Sequence, residues 1–176
     1  MTDALRHDRA LLDALDVAAT QFSGTVWRIA QVGRDPLKGS SLSGRWSGGD
    51  YSVLYTACEK DGALAEIGFR LSLEPIWPSR LQHLLHEIKV DCEKVIDLSN
   101  LPALERLGVT TSKYQSLDYS VTARISAAAA FLEYDAMLVP NARFTCSNLV
   151  IFNERPNSLE LVTSSPVDWN AWRSRK

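Results

Sequence analysis

Apolar and polar positions change period several times along the chain, and each change marks an element. Over residues 3–22, Leu5, Leu11, Leu12, Leu15, Ala18, Ala19 and Phe22 fall on one stripe with Asp and Arg opposite, which predicts an amphipathic N-terminal helix ended by Ser23-Gly24. The β-branched and aromatic run Thr25–Ala30 predicts a strand, and Ser52–Ala57 predicts a second. Leu64, Ile67 and Leu71 share one helical face in 63–71, before Pro75 and Pro78. Residues 82–90 and 94–98 read as two strands. Pro102 and Gly108 bracket a short helix over 101–107. A polar stretch follows through 109–119. Val121, Ile125, Ala128, Ala129 and Leu132 mark a long helix, and 136–139, 148–152 and 158–163 are strand-like before a Trp-rich tail.

The order shows no repeat, no linker and no strict βαβ alternation. At about 150 residues per domain, 176 residues predict one domain. The expected fold is α+β, with a mixed or antiparallel sheet and flanking helices. Residues 1–23 form its N-terminal helix and 24–176 the rest. Composition supports a folded chain: 45% of residues are apolar and 23% charged.

Net charge is −2, which gives no general electrostatic attraction to nucleic acid or anionic membranes. No apolar run is long enough for a transmembrane helix, and the charged N-terminus lacks the apolar core of a secretion signal. Cys58, Cys92 and Cys146 are scattered and form no CxxC pair. Together these features predict a cytoplasmic protein. His83 and His86 lie three apart without a third ligand at suitable spacing, so no metal is expected.

P-loop, GxSxG and GxGxxG signatures are absent. Chemistry therefore falls to polar residues inside otherwise apolar elements. Arg28 interrupts a strand: it is either a solvent-facing arginine or a guanidinium on a cleft floor that binds phosphate or carboxylate. Glu66 lies among small residues: it either pairs with Arg70 at i+4 or faces a ligand. Tyr55 is a core packing residue or a stacking platform. The segment 33–50 holds five of the nine glycines and carries Arg45-Trp46. Its poverty in apolar residues marks it as a poor core element and a functional or mobile loop.

Val26-Trp27-Arg28, Gly44-Arg45-Trp46-Ser47, Val53–Ala57, Ala63–Glu66, Leu138–Arg143 and Asn148–Phe152 occur in an order that resembles the RES-domain family. These are toxins of bacterial RES–Xre type toxin–antitoxin pairs, named for an arginine, a glutamate and a serine. The resemblance spans about residues 24–153. It implies an ADP-ribosyltransferase-like fold and an enzyme that cleaves NAD at the nicotinamide–ribose bond. The ADP-ribosyl acceptor is left open between water, phosphate and a protein. A cognate antitoxin with a helix-turn-helix DNA-binding domain is implied as partner.

By the same resemblance, Arg28, Tyr55 and Glu66 are catalytic, and Arg28, Arg45, Tyr55 and Asn141 bind NAD. Asn141 stands where the family usually has serine, with Ser126 and Ser147 nearby. That departure motivates an alternative: a degenerate, non-catalytic module that binds NAD or an antitoxin.

Overall fold

The structure is a computed structural model and describes residues 8–155 and 157–175. Six strands form one sheet: β1 (Thr20–Gln31), β2 (Val53–Ala57), β3 (His83–Asp97), β4 (Ala136–Pro140), β5 (Ser147–Phe152) and β6 (Ser158–Pro166). Their order is β1-β2-β5-β4-β3-β6, and β1 also pairs with β3. The first five strands therefore close into a ring, with β6 alongside β3. Only β3–β4 is parallel, so the mixed, mostly antiparallel expectation holds. The ring is weakest at β1–β2, where the sole register pair is Trp27↔Ala57.

Among the described residues, six helices flank the sheet: α1 (Arg9–Leu15), α2 (Lys60–Ser72), α3 (Leu101–Arg106), α4 (Thr111–Gln115), α5 (Ser120–Phe131) and α6 (Trp169–Arg173). The core has three parts. One packs α1, α3, α4 and α5 around Ile125, Met137 and Tyr134. A second fills the ring with Val26, Leu54, Ile88 and Ile151. The third seats α2 and α6 over Ile29, Leu85 and Trp169. Ala128 and Ala129 are fully buried in the first of these parts, on the small-residue face of α5.

The expected helix over 3–22 does not form at that length. Helix α1 ends at Leu15, and β1 begins at Thr20; residues 1–7 lie outside the described residues. The reason is tertiary. Thr20 to Gln31 pairs with Val95 to His83 of β3, and Phe22 packs into the ring core instead of extending a helical stripe. The β-ladder outweighs a helical pattern of modest intrinsic propensity. The division at residue 23 therefore cuts through β1.

The two strands expected at 82–90 and 94–98 are one, β3. Asp91 and Glu93 are exposed while Cys92 is buried, so the charged residues continue the alternation. Helices α4 and α6 are short additions marked by their caps. Thr110 accepts from Lys113 N at 3.3 Å, and Asp168 from Ala171 N at 3.0 Å.

Segment 33–50 is also more ordered than its composition suggests. Trp46 is 1% exposed and joins the main core, and Arg45 and Ser47 are buried beside it. The segment is held to β2 by reciprocal backbone bonds between Ser40 and Val53, of 2.9 and 3.0 Å. Gly39 makes that approach possible: a Cβ there would lie 2.5 Å from Val53 O and 1.9 Å from Asn153 Oδ1. Gly39→Ala is expected to cost about 1–3 kcal/mol through overpacking. In a domain of this size that lowers Tm by roughly 2–10 °C, measurable by calorimetry.

Candidate active site

The gap beside the single β1–β2 pair opens into a cleft of about 440 Å³. That volume suits a small-molecule ligand. Its walls are β1, β2, α2 and segment 40–46, and Arg28, Arg45, Tyr55 and Glu66 all line it. Four of the five residues singled out from sequence thus share one cavity. A second cavity of about 470 Å³ lies between α1 and α5 and has a mixed lining, with Ala123, Ala127 and Phe131 beside Asp8, Asp50 and Arg124; none of the five reaches it.

Arg28 follows Trp27 on β1, immediately beyond the last β1–β2 register pair. Its Nη1 donates to Tyr55 O at 3.1 Å, so the guanidinium bridges the gap to β2. Its Nε is buried without a protein partner. Burial, and then the nearby Arg70 charge, push the Arg28 pKa down. Its register partner is His86 of β3, whose Nδ1 lies 2.7 Å from Ser164 Oγ. Burial, and then Arg28 itself, push the His86 pKa down, which favours a neutral ring beside the guanidinium. This environment excludes the solvent-facing reading of Arg28.

Tyr55 projects from β2, and its hydroxyl accepts from Trp46 N at 3.0 Å. A Cβ on Gly44 would sit 2.9 Å from that oxygen, so glycine lets the loop close over the ring. Burial is the main cause that raises the Tyr55 pKa. Arg45 is fixed by Nη1 donation to Tyr114 O, and its guanidinium lies 4.9 and 4.8 Å from the Tyr114 and Tyr119 ring centres.

Glu66 is half-buried on α2. Its Oε1 accepts from Ala142 N at 3.1 Å, and Asn148 Nδ2 approaches the same oxygen to 3.5 Å. These contacts replace the ion pair with Arg70 that helical spacing allows. Donors from the β4–β5 turn and from β5 hold the carboxylate at the cleft wall.

Asn141 is placed differently from the expectation. It does not line the cleft. Its Nδ2 donates to Gly62 O at 3.2 Å and Asn148 Oδ1 at 2.8 Å, while its Oδ1 accepts from Arg143 N and Phe144 N at 2.8 and 2.9 Å. An asparagine amide has no further capacity. The residue builds the β4–β5 turn and orients Asn148. Of the alternatives, Ser126 is fully buried, donating to Trp46 O at 2.6 Å and accepting from the Tyr51 hydroxyl at 2.8 Å. Ser147 is likewise absent from the cleft lining.

Several cleft residues carried no site assignment in the sequence: Arg34, Arg70, His83 and Asn148. Asn148 had a faint signal, a polar residue opening the apolar run of β5. His83 Nδ1 accepts from Trp169 Nε1 at 3.0 Å, and burial pushes the ring's pKa down. A neutral His83 therefore carries its proton on Nε2. Among the described residues, no group of three His, Cys, Asp or Glu side chains is arranged for a metal.

Asn141→Ala leaves Gly62 O and the Arg143 and Phe144 N–H groups without their partner. Losing these bonds is expected to destabilise the fold by about 1–3 kcal/mol. Thermal unfolding checks this. An unchanged Tm would mean that the turn does not depend on Asn141.

A RES domain family model matches residues 25–173. Proteins from Mycobacterium tuberculosis and Mycobacterium bovis, each named NAD(+) phosphorylase MbcT, are 26% identical over 176 residues, covering 96% of this chain and 94% of theirs. The crystal structure of the M. tuberculosis MbcT–MbcA toxin–antitoxin complex contains a chain that superposes with a TM-score of 0.81 at 23% identity, covering 95% of this chain and 97% of that one. A match across nearly the whole sheet and its flanking helices, beginning just before the cleft arginine and ending within α6, shows that the chain belongs to the RES domain family.

Proposed function

We propose that this protein is an NAD phosphorylase that acts as the toxin of a bacterial toxin–antitoxin pair. The observation that carries the reading is the cleft itself: a carboxylate, Glu66, held by Ala142 N and Asn148, in one cavity with Arg28, Arg45 and Tyr55. The MbcT relatives, similar over almost their whole length, support the same chemistry.

NAD is the substrate. Cleavage of the bond from nicotinamide to ribose gives an oxocarbenium-like transition state. The C–N electron pair leaves with nicotinamide, which departs neutral and needs no general acid. Glu66 stabilises the positive charge that develops on the anomeric carbon and accepts a hydrogen bond from a ribose hydroxyl. Arg28 and Arg45 hold the diphosphate, since both guanidinium side chains line the cleft. The Tyr55 ring packs against the nicotinamide ribose. A phosphate oxygen then bonds to the anomeric carbon, giving ADP-ribose phosphate, and the phosphate proton passes to solvent.

The role given to Asn141 from sequence is not part of this reading. Its departure from the family serine is absorbed by the β4–β5 turn. An enzyme of this kind depletes NAD in the cytoplasm, so its host must restrain it. The partner in this reading is a protein antitoxin with a helix-turn-helix DNA-binding domain that covers the cleft.

Mass analysis of products from NAD, with and without inorganic phosphate, tests the reaction. ADP-ribose phosphate is expected when phosphate is present. Free ADP-ribose alone would make the protein a glycohydrolase, and a modified protein a transferase. Intact NAD would favour a binding module. Glu66→Gln is expected to lower turnover at least about a hundredfold with an unchanged far-ultraviolet spectrum. At Arg28, lysine should fall between arginine and alanine in NAD affinity, because it keeps the charge and loses the planar fork. Equal activity in all three proteins would remove Arg28 from the site.

A further inference from the structure

The cleft carries more positive charge than NAD alone requires. Arg28, Arg34, Arg45 and Arg70 line it, with Glu66 as a carboxylate. NAD brings two phosphate charges and one compensating pyridinium. These guanidiniums are not equivalent. Arg28 is tied to Tyr55 O, and Arg45 to the carbonyl of Tyr114 and the flanking rings. Arg34 sits at the rim, in the turn that follows β1. Arg70 is exposed, four residues beyond Glu66 on α2, and makes no ion pair with it. Residues at i and i+4 are neighbours on one helix face, about 5–6 Å apart at Cβ. An ion held by Arg70 would lie within reach of a reacting atom beside Glu66.

We propose that Arg70 forms the subsite for the acceptor anion, inorganic phosphate, beside the Arg28 guanidinium that holds the diphosphate. This rests on the phosphorolysis reading above and assigns its second substrate to a named residue. Arg70 and Arg28 line one cleft, and the Arg70 charge disfavours the charged form of Arg28, so an anion bound at Arg70 lessens that repulsion. The charge effects agree with that placement: Arg70 lowers the Arg28 pKa and also acts on the Tyr55 hydroxyl. Arg70 thus stands near both walls of the gap. A long side chain without a fixed partner also suits a small acceptor that must arrive and react within each turnover.

The shared chemistry is phosphate, and two sources of it compete: inorganic phosphate and the diphosphate of NAD. Calorimetric titration of wild type, Arg70→Gln and Arg70→Lys with inorganic phosphate, and separately with NAD in phosphate-free buffer, separates them. Loss of a charge-assisted contact predicts that Arg70→Gln weakens phosphate binding roughly tenfold or more. NAD binding should weaken less than about threefold, with lysine intermediate for phosphate. In steady state, KM for phosphate should rise in parallel. An equal loss of NAD affinity would overturn the proposal and assign Arg70 to the diphosphate. No change for either ligand would also overturn it and make Arg70 a solvated helix charge. Arg70-dependent phosphate binding without formation of ADP-ribose phosphate would support the subsite and sink phosphorolysis. Formation of ADP-ribose phosphate unaltered by Arg70→Gln would do the reverse.

Discussion

The site depends on the place where the sheet nearly fails to close. β1 and β2 share one register pair, Trp27↔Ala57, and then diverge. A longer ladder would have satisfied the backbone there and left no room for a ligand. The Arg28 side chain reaches across instead and takes Tyr55 O. A charged side chain does a strand's work at the gap while lining the cleft. Behind it, burial and then the Arg28 charge push the His86 pKa down, which favours a neutral ring at that depth.

Two supports hold the rest of the cleft, and both are hydrogen-bonded networks that include buried polar groups. Trp46 anchors the glycine-rich segment: its carbonyl takes Ser126 Oγ and its N–H meets the Tyr55 hydroxyl. The β4–β5 turn is organised by Asn141, which frees Ala142 N and Asn148 to face Glu66. Such networks rigidify a site when every member is paired. The groups nearest the carboxylate therefore owe their positions to Asn141, which lies outside the cleft lining.

Local pattern made most of the sheet legible. β2, β4 and β5 are runs of β-branched and apolar residues, and α2 and α5 show a helical face. Errors arose where long-range pairing overrides local preference. Thr20–Gly24 reads as the end of a helix until β3 lies beside it, and Asp91 and Glu93 read as a break until both turn to solvent. Trp46 looked like a loop residue because its burial comes from α4 and α5, far along the chain. In the site, Arg28, Arg45, Tyr55 and Glu66 stood out by their order. Asn148 did not, since its place beside Glu66 follows from the Ala57↔Asn148 register. Asn141 stands out for its position in a motif, and its amide is hydrogen-bonded within the β4–β5 turn and to Gly62 and Asn148.

The two groups that hold Glu66 come late in the chain. Residues up to 70 contribute the arginines, Tyr55 and the carboxylate, but Ala142 and Asn148 lie in the last quarter of the sequence. Strand β2 has no partner on its far side until β5 is made, and His83 lacks its Trp169 donor until α6 is made. A chain still emerging from the ribosome therefore carries the charged residues of the cleft without the frame that aligns them. Alignment of the cleft waits on the residues that follow β4, because Ala142, Asn148 and Trp169 supply the donors that hold Glu66 and His83.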